Sequence, residues 1–119
     1  MMTGTITNLR PHLELFVKGI GGQGKVSFVV DTGYNGTLTL PPEVCVALQL
    51  KPENIIRSQL ADGTRIKLQS YILLVEWDGE ERKVEILAMG EESLLGVTML
   101  EGYKLCLDFS ANTLTVELA

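Results

Sequence analysis

The sequence has few cysteines and no long apolar segment, and each scarcity excludes a class of protein. Its two cysteines, Cys45 and Cys106, provide neither a disulfide framework nor the spacing of a metal site. Each has apolar neighbours, so we expect both to be small core residues. The fully apolar stretches, such as Tyr71 to Val75, are far too short to span a bilayer.

Basic residues are also scarce. Ten Lys and Arg stand against fifteen Asp and Glu, the net charge is −5, and the cations are scattered along the sequence without a cluster. A nucleic-acid backbone needs clustered cations to displace its counterions, and a membrane surface attracts a basic face. The sequence therefore predicts no nucleic-acid partner and no membrane partner. The segment from Met1 to Gly24 has no apolar stretch typical of a signal peptide, so we expect a cytoplasmic protein.

The length and composition favour one globular unit. A chain of 119 residues can bury one real core, and 45% hydrophobic with 21% charged residues is typical of soluble globular proteins. We predict a single domain over residues 1–119.

Most of the chain has the pattern of short strands. Leu13, Leu15 and Val17 alternate with more polar residues, which predicts a half-buried strand. The pattern resumes from Lys25 to Asp31. The glycine-rich segment from Gly19 to Gly24 separates the two runs, so we predict a hairpin.

The same segment, Gly19 to Gly24, satisfies the glycine pattern of dinucleotide-binding proteins. That pattern requires a helix after the loop, because the helix N-terminus holds the pyrophosphate. Lys25 to Asp31 alternates with period two and is therefore a strand. We interpret the glycines as a hairpin loop.

Further strands are predicted in the rest of the chain. They are Thr37 to Leu40, Arg57 to Leu60, Arg65 to Tyr71, Tyr71 to Trp77, Arg82 to Ala88, Lys104 to Phe109 and Thr113 to Leu118. The pairs Asp62-Gly63 and Asp78-Gly79 are tight-turn signals. A short helix is predicted from Pro41 to Leu48, and a helical turn within Val97 to Tyr103. Roughly eight strands with about two helical turns predict a closed or folded-over all-β domain.

The segment with the clearest chemical character is Asp31-Thr32-Gly33, which follows an apolar strand. A carboxylate at the end of a buried strand is costly unless it is satisfied or used. Gly33 permits close approach of another backbone or a ligand. Alone, the tripeptide is also typical of an ordinary turn. Further along, Leu94-Leu95-Gly96 places two apolar residues before a glycine.

The order of these segments resembles the retropepsin-like aspartic proteases, especially their short bacterial members. An acidic loop, a hairpin, an apolar-apolar-glycine segment, a short helix and a final strand pair follow one another. The resemblance begins near Thr3 to Asn8 and continues to the C-terminal strands. It implies an all-β retropepsin-like fold, a closed β-barrel or folded sheet with one or two short helices, assembled as a two-fold homodimer.

The resemblance also implies roles for the acidic loop. Asp31 would be the catalytic aspartate. The hydroxyl of Thr32 would bond across the two-fold axis to the partner loop, and Gly33 would let the backbone approach the scissile peptide. The residues implied to contact or enclose substrate are Tyr34, Ala61, Asp62, Gly63, Leu94, Leu95 and Gly96.

Two of these positions depart from the family. Tyr34 stands where the family usually has Ala or Ser, and a phenol there would narrow or refill the cleft. The implied flap tip from Ala61 to Thr64 is polar, whereas retroviral flaps are glycine-rich and apolar at the tip.

The sequence contains one Asp-Thr-Gly, whereas the family mechanism needs two facing aspartates. Two carboxyl groups in contact cannot both ionise, so they share a proton. The ionised one activates a water, and the protonated one donates to the peptide carbonyl. The implied partners are therefore a second copy of the chain and a peptide or unfolded protein substrate, with no metal or other cofactor.

Three functions remain open at this stage. The leading hypothesis is a cytoplasmic homodimeric aspartic endopeptidase. The second is a non-catalytic dimeric module of the same fold that binds peptides or a partner protein, which Tyr34 and the polar flap motivate. The third is a small β-barrel that merely resembles the family.

Overall fold

A computed structural model describes the whole chain, residues 1–119. It contains ten strands and two short helices, so the all-β prediction is confirmed. In chain order the elements are β1 (Met2–Thr7), β2 (Arg10–Lys18), β3 (Gln23–Val30), β4 (Leu38–Leu40), α1 (Pro42–Ala47), β5 (Lys51–Gln59), β6 (Arg65–Trp77), β7 (Glu80–Ala88), β8 (Leu94–Leu95), α2 (Val97–Leu100), β9 (Tyr103–Asp108) and β10 (Thr113–Leu118). Neither helix has the length and apolar character needed to cross a membrane.

All ten strands belong to one sheet with the order β5-β6-β7-β4-β8-β3-β2-β1-β10-β9. Most neighbouring strands are antiparallel, but β3 with β8 and β4 with β7 run parallel. One further pairing joins β2 to β6 through Val17 opposite Val75 and Lys18 opposite Leu74. These two strands are distant in the order, so the sheet folds over on itself.

Of the two predicted tight turns, Asp78-Gly79 has the expected geometry, whereas Asp62-Gly63 lies in a longer loop, from Leu60 to Thr64, in which only the glycine has a positive φ. Gly63 has a φ of +89°, and Asp78 and Gly79 have φ values of 52° and +84°. Two successive positive φ values are those of the tight hairpin turn that an Asp-Gly pair favours. Residues Gly19 to Gly22 connect β2 to β3, and Lys18 at the end of β2 pairs with Gln23 at the start of β3, so the hairpin interpretation is confirmed.

The predictions for β5 and β6 were incomplete, and β1 was not predicted. β5 begins at Lys51 instead of Arg57, and it includes Pro52. Proline is tolerated on edge strands and at bulges, and Pro52 lies on an edge strand where the pairing with β6 is irregular between Pro52 and Ile55. The two predicted strands that meet at Tyr71 form the single strand β6. β1, which is rich in Thr and has little apolar alternation, pairs with both β2 and β10.

Nineteen buried side chains form one hydrophobic core. The predicted inward row of Leu13, Leu15 and Val17 belongs to it. Cys45 also lies in this core, but the prediction that Cys106 is a core residue is wrong, because its side chain is exposed. Alternation along β9 turns its leucines toward the core and Cys106 outward.

Candidate active site

Asp31 lies directly after β3, at the point where this strand runs beside β8. The parallel pairing places Val30 opposite Leu95. The N–H of Asp31 donates to the carbonyl oxygen of Leu95 at 2.9 Å. The structure thus brings the acidic loop and the apolar-apolar-glycine segment together.

The Asp31 side chain is half-buried and is oriented by its own loop. The N–H of Gly33 donates to Asp31 Oδ1 at 2.9 Å, and the N–H of Tyr34 donates to the Asp31 carbonyl at 3.1 Å. This is a turn in which the side chain accepts a bond from the backbone two residues on. One carboxylate oxygen is therefore fixed, while Oδ2 has no hydrogen-bond partner within the chain.

Thr32 is exposed, and its hydroxyl makes no hydrogen bond within the chain. Gly33 is also exposed, and a Cβ there would meet only Asp31 Oδ1, at 3.3 Å. The outer side of the loop is consequently open at both positions.

Gly96 holds the loop from the other side. Its N–H donates to Thr37 O at 2.7 Å, and the next N–H, that of Val97, donates to Tyr34 O at 2.9 Å. A Cβ on Gly96 would lie 2.2 Å from the carbonyl oxygen of Gly36 and 2.6 Å from Tyr34 Cδ2. Only a glycine permits this approach without movement of the backbone.

The ring of Tyr34 lies along the loop. A Cβ on Gly36 would be 2.2 Å from the Tyr34 hydroxyl oxygen, so the phenol covers that glycine. Burial raises the pKa of the Tyr34 phenol above its ordinary value. Burial therefore favours the neutral form of this phenol.

Beside Tyr34 is a cleft of about 280 Å³ between the loop and strands β5, β6 and β7. It is called the β7 cleft below. The lining residues are Tyr34, Gly36, Thr37, Ile56, Ser70, Glu85, Ile86 and Leu87. The cleft thus has apolar walls and a polar end formed by Ser70 and Glu85.

The polar end is a hydrogen-bonded network that the sequence analysis missed. The fully buried hydroxyl of Ser70 donates to Glu85 Oε2 at 2.6 Å and accepts a bond from the N–H of Asn54 at 2.9 Å. Asn54 Nδ2 donates to the same Glu85 oxygen at 3.1 Å. The Ser70 bond first, and the Asn54 bond second, lower the pKa of the Glu85 carboxyl.

The hairpin tip from Ala61 to Gly63 is exposed and forms its hydrogen bonds within the hairpin. Asp62 Oδ1 accepts a bond from the N–H of Thr64, which lowers the pKa of Asp62. The structure does not join this tip to the Asp31 loop. The hairpin instead reaches the β7 cleft through Ile56 of β5.

The two leucines of the apolar-apolar-glycine segment differ in exposure. Leu95 is fully buried, and Leu94 is half-buried with its N–H donating to Thr39 Oγ1 at 3.0 Å. Neither lines the β7 cleft. Their direct contribution is the parallel pairing that fixes the end of β3.

Two other features of the surface lie outside this arrangement. A depression of about 590 Å³ on the β5–β6 hairpin includes no residue of the Asp31 loop. It is lined by Arg57, Ser58, Gln59, Arg65 and Lys67. No group of three or more His, Cys, Asp or Glu side chains is arranged to hold a metal ion.

Solved structures with the same arrangement of strands include two aspartic proteases. The EIAV protease, in complex with an inhibitor, aligns with a TM-score of 0.59 and 19% identity over 85% of this chain and 98% of its own. A retropepsin-like aspartic protease from Rickettsia conorii aligns with a TM-score of 0.57 and 18% identity over 98% of this chain and 88% of its own. No protein-family model and no curated protein matches the chain. The chain therefore has the retropepsin-like fold, as its sequence predicted.

Proposed function

We propose that the chain is an aspartic endopeptidase in which two copies each contribute Asp31 to one site. The observation that carries the proposal is the state of the Asp31 carboxylate. Oδ1 is held by the N–H of Gly33, whereas Oδ2 has no hydrogen-bond partner within the chain. A retropepsin-like fold with one oriented carboxylate per chain has half of the groups that the chemistry needs.

The second half would come from a two-fold partner, because an isologous interface brings the same residue of both copies to the axis. Two carboxyl groups in contact share one proton. The ionised group takes a proton from a water that attacks the peptide carbonyl, and the protonated group donates to the carbonyl oxygen. The tetrahedral intermediate then collapses as the carboxyl group that took the water's proton donates it to the leaving amine and the other carboxylate takes back the hydroxyl proton. No covalent enzyme intermediate forms.

The free hydroxyl of Thr32 supports this assembly. An exposed hydroxyl beside the catalytic carboxylate has no partner within its own chain, and in a two-fold dimer it would lie near the same loop of the other copy. A bond between the two loops would hold the carboxylates at a fixed separation. A monomer would then be inactive, and specific activity would rise with protein concentration through the dimerisation range.

The test is to map cleavage of a complex peptide mixture by mass spectrometry from roughly pH 4 to pH 7. Wild type is compared with Asp31→Asn, which keeps the shape of the side chain but removes its charge. Asp108→Asn is the matched control, since Asp108 is an exposed aspartate that accepts its bonds within the turn after β9. We expect cuts with wild type and with the control, a mildly acidic optimum, and loss of at least about a thousandfold in rate for Asp31→Asn.

Cleavage that persists in Asp31→Asn would overturn the assignment. A second candidate is a non-catalytic peptide-binding dimer, which is favoured by the position of Tyr34 along the wall of the β7 cleft. It predicts peptide binding without turnover, unchanged by Asp31→Asn. Sedimentation of wild type and of Asp31→Asn in the same buffers shows whether each protein is a folded dimer.

A further inference from the structure

The Glu85 carboxylate is anchored on one side only. Both of its hydrogen bonds, from Ser70 and Asn54, go to Oε2, and Oε1 has no partner. Because the Ser70 hydroxyl is itself fully buried and held by the Asn54 backbone, the carboxylate is fixed in orientation. A fixed carboxylate with a free oxygen can accept a charged donor at little cost in side-chain entropy.

The charge of Glu85 is also uncompensated. The ion pairs between side chains of this protein are Arg10 with Glu92 and Lys25 with Glu14. Glu85 has no cation within ion-pair distance, and its lowered pKa keeps it ionised at mildly acidic pH. The polar end of the β7 cleft therefore presents one negative charge to whatever enters.

The walls of the β7 cleft suit a long side chain with a cationic end. Ile56 and Leu87 supply aliphatic surface from β5 and β7, and Tyr34 supplies an aromatic ring. Lysine and arginine bury their methylene stems along such surfaces while the charged group reaches a polar end. An aromatic ring beside the cation adds a further attraction.

We propose that the β7 cleft is a specificity site for a lysine or arginine side chain of the substrate, with Glu85 as its charge partner. The proposal rests on the proposed peptide-hydrolysing function and names the substrate class. Tyr34 belongs both to the Asp31 loop and to the wall of this cleft, so the bound side chain would flank the peptide bond at Asp31. The site then selects basic peptides, which the protein's net charge of −5 also attracts.

Peptides that the wild-type protein cleaves in the mixture serve as templates. Each is synthesised as a pair of substrates that differ at one position. Each pair has lysine or its uncharged isostere norleucine at a position flanking the cut. Wild type is compared with Glu85→Gln and with Glu81→Gln, an exposed glutamate on the same strand that lines a different surface depression. The measured quantity is kcat/KM for each peptide of a pair.

We expect wild type to prefer lysine over norleucine about tenfold at one position, as a charge-assisted hydrogen bond would give. Glu85→Gln should reduce that ratio to about one, while Glu81→Gln should keep the preference. A lysine preference at no position, or one that survives in Glu85→Gln, would overturn the proposal even if cleavage depends on Asp31.

Peptide binding separates this inference from the proposed function. If wild type cleaves nothing, the affinity of a peptide library with lysine or norleucine at each position is measured with Asp31→Asn, which needs no catalysis. A lysine preference that Glu85→Gln abolishes would support the cleft while the protease assignment fails. Equal affinities for the lysine and norleucine peptides would overturn the proposal that the β7 cleft binds a basic side chain through Glu85.

Discussion

Replacing Gly96 by alanine tests how closely the Asp31 loop is held. Gly96 has a φ of −95°, which any residue adopts, so its backbone conformation does not require glycine. The obstacle is contact, because the new Cβ would lie 2.2 Å from the Gly36 carbonyl oxygen and 2.7 Å from the Tyr34 carbonyl oxygen. Both are backbone atoms, so no rotamer change relieves the overlap. We expect a loss of about 3 kcal/mol in the free energy of unfolding, at the upper end of overpacking costs.

Gly24→Ala is the matched control, since a Cβ at Gly24 has no heavy atom within 4 Å. It should be neutral or stabilise by up to about 1 kcal/mol. Urea denaturation of both variants measures the difference, and with a slope of about 2 kcal/mol/M the midpoint of Gly96→Ala should fall by about 1.5 M. Peptide cleavage by the folded fraction should fall too, since the same overlap displaces the loop that carries Asp31. Equal midpoints for the two variants would refute the close-packing argument.

Two further predictions concern titratable groups. Hydrogen bonds lower the pKa values of Glu85, Glu92 and Asp108, so the stabilisation they give is complete above the ordinary carboxyl pKa of roughly 4 and is lost as the pH falls through the lowered values. The urea midpoint should therefore decrease below about pH 4, and a midpoint that rises there would contradict this assignment. Burial raises the pKa of Cys45 to about 11, so an alkylating reagent at pH 8 should modify the exposed Cys106 rapidly and Cys45 only after unfolding. Rapid labelling of folded Cys106→Ser would show that Cys45 is accessible.

Local sequence patterns were sufficient to predict where the chain turns and which side chains of β2 are buried. Asp-Gly pairs favour hairpin turns because both residues accept positive φ values; Asp78 and Gly79 both adopt them, whereas in the Asp62-Gly63 pair only the glycine does. Alternation in β2 identified buried side chains because one face of that strand packs on the core. Asp31 was found by the same local logic, as a carboxylate at the end of an apolar strand.

The sequence patterns failed where alternation of buried and exposed residues does not identify a strand or its buried face. Every residue of β5 is exposed, so no apolar alternation marks its start at Lys51. Cys106 has leucines on both sides, and composition alone suggested a core position. Whether Cys106 or its neighbouring leucines face the core depends on which face of β9 packs on the rest of the protein. A short strand sequence on its own does not determine that face.

The β7 cleft was hidden for a related reason. Asn54, Ser70 and Glu85 belong to three different strands, and their contact depends on the antiparallel pairing of β6 with β5 and with β7. A shift of one residue in either pairing would turn one set of side chains to the opposite face. By exposure alone Glu85 resembles Glu81 on the same strand. The buried hydroxyl of Ser70 distinguishes Glu85, because of these two glutamates only Glu85 accepts a hydrogen bond from a neighbouring strand. A carboxylate that is held in place on an exposed strand face is therefore recognised by what lies across the sheet from it, which a single sequence does not reveal.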